Sequence, residues 1–183
     1  SGNIVAERGA LFDVSGSTGI LDLPPTYVSS GNYPDNGLRG VQYVPVRVDS
    51  NGGSIRLAGA EMLYSDATLT GRPGGPSAMG GSLSISSGRF YLAGTPRTTA
   101  DANLVVGQHG STLPAGVPRG IGRPMVDAAG GALPGIGNIR VSSFAGGGFD
   151  ALALGGNVQF EGPVDINLPG RLSVGSGGVI YAN

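Results

Sequence analysis

A chain of 183 residues with a formal net charge of −1 has room for one domain with its own core and too little for two. It contains no Cys and no Lys, and its 11 basic residues are all Arg, scattered singly. That excludes a disulfide framework, thiol chemistry, a Cys-based zinc site, a Lys-dependent phosphate loop and the basic stripe of a nucleic-acid binder.

The 36 Gly and 13 Pro approach the level of a disordered chain, but 39% hydrophobic and only 13% charged residues do not. The glycines are therefore expected to turn the chain sharply between short apolar runs, using φ > 0 conformations closed to other residues. No run reaches the roughly 18 apolar residues of a membrane span.

In chain order, the first predicted strand is Gly2-Asn3-Ile4-Val5-Ala6, so the sequence is expected to begin inside an element, without a signal peptide. Residues 17–51 interrupt the pattern with Pro24-Pro25 and Pro34-Asp35-Asn36-Gly37, although Tyr43-Val44-Pro45-Val46-Arg47-Val48 is strand-like. Proline cannot donate to a ladder, so this stretch is expected to be a loop or hairpin insertion. The motif then returns as Gly53-Ser54-Ile55-Arg56-Leu57, followed by alternation in Thr68-Leu69-Thr70. Further copies are Gly81-Ser82-Leu83-Ser84-Ile85 and, weaker, Ala102-Asn103-Leu104-Val105-Val106. A second predicted insertion, 107–136, carries Pro114, Pro118, Pro124 and Pro134. Beyond it come Gly137-Asn138-Ile139-Arg140-Val141, Gly156-Asn157-Val158-Gln159-Phe160, Val164-Asp165-Ile166-Asn167-Leu168 and Leu172-Ser173-Val174. The last copy, Gly178-Val179-Ile180, leads to an end that also looks cut from a longer protein.

Leu83 to Leu104, Ile139 to Val158 and Val158 to Val179 are each steps of about 20 residues, within the range of solenoid repeats. Alternation of period two gives each short strand one apolar face, which it cannot bury alone. Stacking successive turns in register buries it, with the aliphatic residues in columns. The expected fold is all-β: a right-handed parallel β-helix, a single solenoid segment over 1–183, its hand set by the chirality of parallel crossovers. Asn3, Asn103, Asn138 and Asn157 are expected either to stack as an amide ladder or to serve as turn residues.

Chemistry is sparse. The acidic candidates for a carboxylate pair are Asp13, Asp22, Asp66, Asp150, Asp165, Glu7, Glu61 and Glu161. Asp13, Asp66, Asp150 and Asp165 recur late in their strands, which marks turn residues rather than an acid–base pair. His109 lies alone in Gly107-Gln108-His109-Gly110, with no second His for a metal site. Ala145-Gly146-Gly147-Gly148-Phe149-Asp150-Ala151-Leu152-Ala153 matches the calcium nonapeptide except at its first position, but no tandem copy follows. Gly135-Ile136-Gly137 lacks the helix a nucleotide loop needs. Tyr27, Tyr33 and Tyr43, in the first insertion, either face a partner or flank the sheet. No enzyme activity, catalytic residue, cofactor or metal is expected, and no binding residue is assigned.

Gly9-Ala10-Leu11-Phe12-Asp13-Val14-Ser15-Gly16 and Val46-Arg47-Val48-Asp49-Ser50-Asn51-Gly52-Gly53-Ser54-Ile55-Arg56-Leu57 resemble the repeat unit of filamentous haemagglutinin-like exoproteins. Asp66-Ala67-Thr68-Leu69-Thr70-Gly71 and Gly80-Gly81-Ser82-Leu83-Ser84-Ile85-Ser86-Ser87-Gly88-Arg89 are similar to the same family. The resemblance covers residues 1–94; 137–183 reads as generic β-helix. It implies a shaft segment, since the Asn-Pro-Asn motifs of the family's secretion domain are missing. It further implies two-partner secretion through an outer-membrane transporter, to the surface or exterior of a Gram-negative bacterium. The implied role is that of an adhesin, a biofilm component or a toxin-displaying stalk, meeting a host or bacterial cell-surface glycan or protein. No ligand-binding motif of the family is matched, so no adhesive residue carries over. The alternatives are a carbohydrate-active β-helix enzyme, a lyase or hydrolase, and a phage tail-spike fragment.

Overall fold

The computed structural model describes residues 3–24, 43–60, 62–88, 103–113 and 136–175, and the backbone of 180–182. The chain enters on β1 (Ile4–Ala6) and β2 (Leu11–Asp13), departs on β3 (Thr18–Leu23) and returns on β4 (Val44–Asp49). It continues through β5 (Ser54–Gly59), β6 (Leu63–Ser65), β7 (Thr68–Thr70) and β8 (Gly81–Ser87). After β9 (Leu104–Gly107) and β10 (Gly137–Arg140) it makes a 3-10 turn at Val141–Ser143. β11 (Phe149–Gly155), β12 (Val158–Glu161), β13 (Arg171–Val174) and β14 (Ile180–Ala182) follow.

The fold is all-β and built on parallel pairing. A six-stranded parallel sheet runs β1-β6-β10-β9-β12-β14, and a four-stranded parallel sheet runs β13-β11-β8-β5. β2 and β7 form a further parallel pair. Among the described residues only β3 and β4 are antiparallel, an arm within the stretch 17–51; residues 25–42 of that stretch, and 114–135 of the second, lie outside the described residues.

Alternation in sequence becomes alternation in burial. In β5, Ile55 and Leu57 turn inward while Ser54, Arg56 and Ala58 face out; in β8, Leu83 and Ile85 are buried between serines. Register stacks these residues: Ile55, Leu83, Leu152 and Leu172 form one column, and Leu57, Ile85, Leu154 and Val174 another. Across the core, Ile4, Leu63, Gly137, Leu104 and Val158 align, as do Ala6, Ser65, Ile139, Val106 and Phe160. Residues from both large sheets belong to one apolar cluster, joined by Leu69, Phe144 and Phe149. The four residues expected to share a core, Ile55, Leu83, Ile139 and Val158, do so, two in each sheet.

Two expectations need correction, and one of the two readings of the asparagines falls. Strands do not stack in chain order, because β10 lies between β6 and β9. The asparagines do not form one ladder: Asn138 aligns with Tyr64 and Val105, not with Asn103 or Asn157. The motif in β10 is displaced by two residues relative to the motif in β12, a slip that leaves every apolar residue inward. Finally, among the described residues only Gly9, Gly110, Gly148, Gly156 and Gly162 have positive φ. At many other positions glycine lets neighbouring backbone approach closely. A Cβ on Gly52 would lie 2.3 Å from the Gly71 carbonyl oxygen and 2.5 Å from the Gly81 nitrogen.

Candidate functional site

The densest polar constellation among the described residues gathers on Asp49, at the root of the β3–β4 arm. Thr18 and Asp49 are directly paired across the two strands. Thr18 Oγ1 donates to Asp49 Oδ1 at 2.6 Å and Arg47 Nε to the same oxygen at 2.8 Å. From the loop before β8, Ser77 donates to Oδ2 through its hydroxyl at 2.8 Å and its peptide N–H at 3.4 Å. The hydrogen bonds from Thr18 and Arg47, with Ser77 behind them, outweigh burial and hold the carboxyl well below the usual aspartate range. Its side chain is 1% exposed. Sequence reading missed Asp49, because its partners Thr18 and Ser77 lie far away in the chain; only the alternating Arg47 was a local hint.

The predicted acidic residues sit on different parts of the fold. Asp13, in β2, accepts from the Ser15 peptide N–H at 2.9 Å and is held below its ordinary value by Ser15 first. Asp66, between β6 and β7, accepts from the Ser111 hydroxyl and from Thr112 N–H at 2.6 Å and Oγ1 at 2.7 Å. Burial pushes Asp66 up, but these bonds and the charge of Arg8 bring it below the usual range. This tether ties 111–113 over the outer side of β6, where Leu113 packs on Met62 and Tyr64. Burial raises the Tyr64 phenol.

Asp150 accepts from Gly80 N–H at 2.8 Å at a bulge in β11. In the calcium-like stretch, the Gly146 carbonyl accepts from Arg72 at 3.2 Å and the Gly147 carbonyl from Gly71 N–H at 2.7 Å. Two carbonyl oxygens of this stretch are thus engaged by donors, one of them positively charged. Glu161 Oε2 accepts from Arg140 Nη1 at 2.7 Å. Asp165 is fixed through its peptide N–H, which donates to Gln108 Oε1 at 2.8 Å. Asp22 and Glu7 are exposed, and His109 is exposed in its loop. Glu61, Tyr27 and Tyr33 lie outside the described residues. Among the described residues no group of three or more His, Cys, Asp or Glu is placed to hold a metal.

What the arrangement does chemically is therefore to spend carboxylates on turns. Asp13, Asp49, Asp66 and Asp150 each accept N–H or O–H donors that close a corner or dock a loop. The exposed apolar surface lies mainly on the arm and near β2: Ile20, Leu21, Tyr43 and Val48, with Leu11 and Phe12. The outward residues of the four-stranded sheet are small, among them Ser82, Ser84, Ala151 and Ala153, with Arg56 and Arg171 in the outer strands. No helix among the described residues is long and apolar enough to cross a membrane. Comparison with known proteins finds no matching family model, curated protein or solved structure.

Proposed function

We propose that this chain is a structural and adhesive rod segment, a right-handed parallel β-helix belonging to a large secreted surface protein. The observation that carries this reading is the pair of in-register parallel sheets around one core. Most passes of the chain add one strand to each sheet and lengthen the structure by roughly 4.8 Å, and from β11 to β13 and β12 to β14 the advance takes about 20 residues. Such a repeat extends indefinitely without a larger core, which suits a shaft. The resemblance of residues 1–94 to filamentous haemagglutinin-like exoproteins points the same way. On this reading the protein passes a partner outer-membrane transporter of a Gram-negative bacterium, and the β3–β4 arm meets a cell-surface glycan or protein.

The use of Asp13, Asp66 and Asp150 as turn acceptors favours a rod over a polysaccharide-cleaving enzyme. The experiment is to immobilise the purified chain, measure retention of glycans and of intact cells, and assay the same glycans for new reducing ends or unsaturated products. Retention without cleavage is expected, and retention should fall when Ile20 and Tyr43 become Ser. Catalytic turnover of any glycan would replace the rod with the enzyme.

A further inference from the structure

β9 stands in the six-stranded sheet out of chain order and, among the described residues, without a counterpart across the core. It separates β10 from β12, whereas β11 and β13, the large-sheet strands that follow those two, pair directly. The step is two strand spacings, about 10 Å, on one side and about 4.8 Å on the other. The link from β11 to β12 turns at Gly156, with φ +93, where a Cβ would meet Asn103 and the Ser87 carbonyl oxygen at 3.3 Å.

β10 and β12 are nevertheless matched to each other. Through β9, Gly137, Asn138, Ile139 and Arg140 align with Val158, Gln159, Phe160 and Glu161, inward with inward. Arg140 and Glu161 are already paired at 2.7 Å, across the one residue of β9 without a side chain. A Cβ on Gly107 would lie 2.0 Å from Arg140 Nη1. Gly137, for its part, leaves inward space that Ser87 and Leu104 now share, Ser87 Cβ 2.5 Å and Leu104 Cδ1 2.9 Å from where a Cβ would stand.

We propose that β9 is an exchangeable strand, and that when it leaves, β10 pairs directly with β12 in this same register. Ladder bonds lost to β9 are remade between the two neighbours, and the Arg140–Glu161 pair persists. Both sides of the core then step by one strand. The departure exposes Leu104 and Val106, both 0% exposed here, and strains the tether of Ser111 and Thr112 to Asp66. The inserted form is therefore the ground state and the closed form the minor one.

The test uses the variant Asn138→Cys/Gln159→Cys in a chain that has no other Cys. With β9 in place these positions are about 10 Å apart, beyond disulfide reach; direct pairing brings them to about 5 Å, within it. Mild oxidation under native conditions is expected to give an intramolecular disulfide faster than the chain unfolds globally. The oxidised protein should keep its β-sheet circular dichroism, with amide exchange at Leu104–Gly107 accelerated at least tenfold over the reduced form. A bond that forms only at the global unfolding rate, or none while an Asn138→Cys/Val105→Cys control cross-links, overturns the proposal. If the variant does not fold, native-state exchange on the unaltered chain decides. Exchange of β9 together with 111–113, ahead of β10 and β12, supports it; simultaneous exchange of all three strands overturns it.

Discussion

At Asp49 four donor bonds converge on one carboxylate, and all of them favour the ionised form. Asp13 and Asp66 are held in the same direction by their own donors. A carboxyl whose folded value lies below its ordinary 3.8 contributes stability above that value, and the contribution is lost as pH falls through the lower folded values. The urea midpoint should therefore hold steady from pH 7 to about 5 and decline below about 4, and Asp49→Asn should make that decline shallower. Gly52 gives a second test. Adding a methyl group there meets backbone oxygen and nitrogen that cannot rotate away, so Gly52→Ala should cost about 1–3 kcal/mol. Gly19→Ala, with nothing within 4 Å, should stay within about 0.5 kcal/mol by the same urea titration. Some of this was legible in the sequence and some was not. Asp13 with Ser15 two residues on is a local turn signal. Asp49 and Gly52 gain their roles from Ser77, Gly71 and Gly81, which no spacing rule connects to them.

Strand by strand, alternation specified which side chains turn inward but not which strand neighbours which. Leu83 and Ile85 were readable as core residues from period two alone, whereas β11 was not, its stretch having matched a calcium nonapeptide instead. The register of β10 was not, because a two-residue slip preserves the inward set; nor was its place before β9, because each column accepts any aliphatic residue. The columns make a graded prediction. Leu83 lies mid-column at 1% exposed and Leu172 at the column's end at 47%. Leu83→Ala should destabilise by about 2–5 kcal/mol, and Leu172→Ala by less than about 1, in chemical denaturation followed by circular dichroism.

For the molecule as a whole, one apolar cluster links both large sheets, and no residue of β3 or β4 belongs to it. Ser50 N–H already donates to the Ser17 carbonyl oxygen at 2.9 Å, so the chain is closed across the base of the arm. Removing 18–49 and joining Ser17 to Ser50 through two glycines should leave a single cooperative unfolding transition and a sheet spectrum smaller only by the arm's own two strands. Loss of cooperativity would show that the arm is part of the core after all. The inverted order of β9 and β10 also bears on how such a chain is made. Residues 104–107 leave the ribosome, or any export pore threaded from the N-terminus, before residues 137–140. A sheet that grew strictly by order of arrival would set the earlier strand against β6 and shut the later one out. The native arrangement needs that berth kept vacant or reopened, so the sheet is complete only once residues 137–140 have arrived.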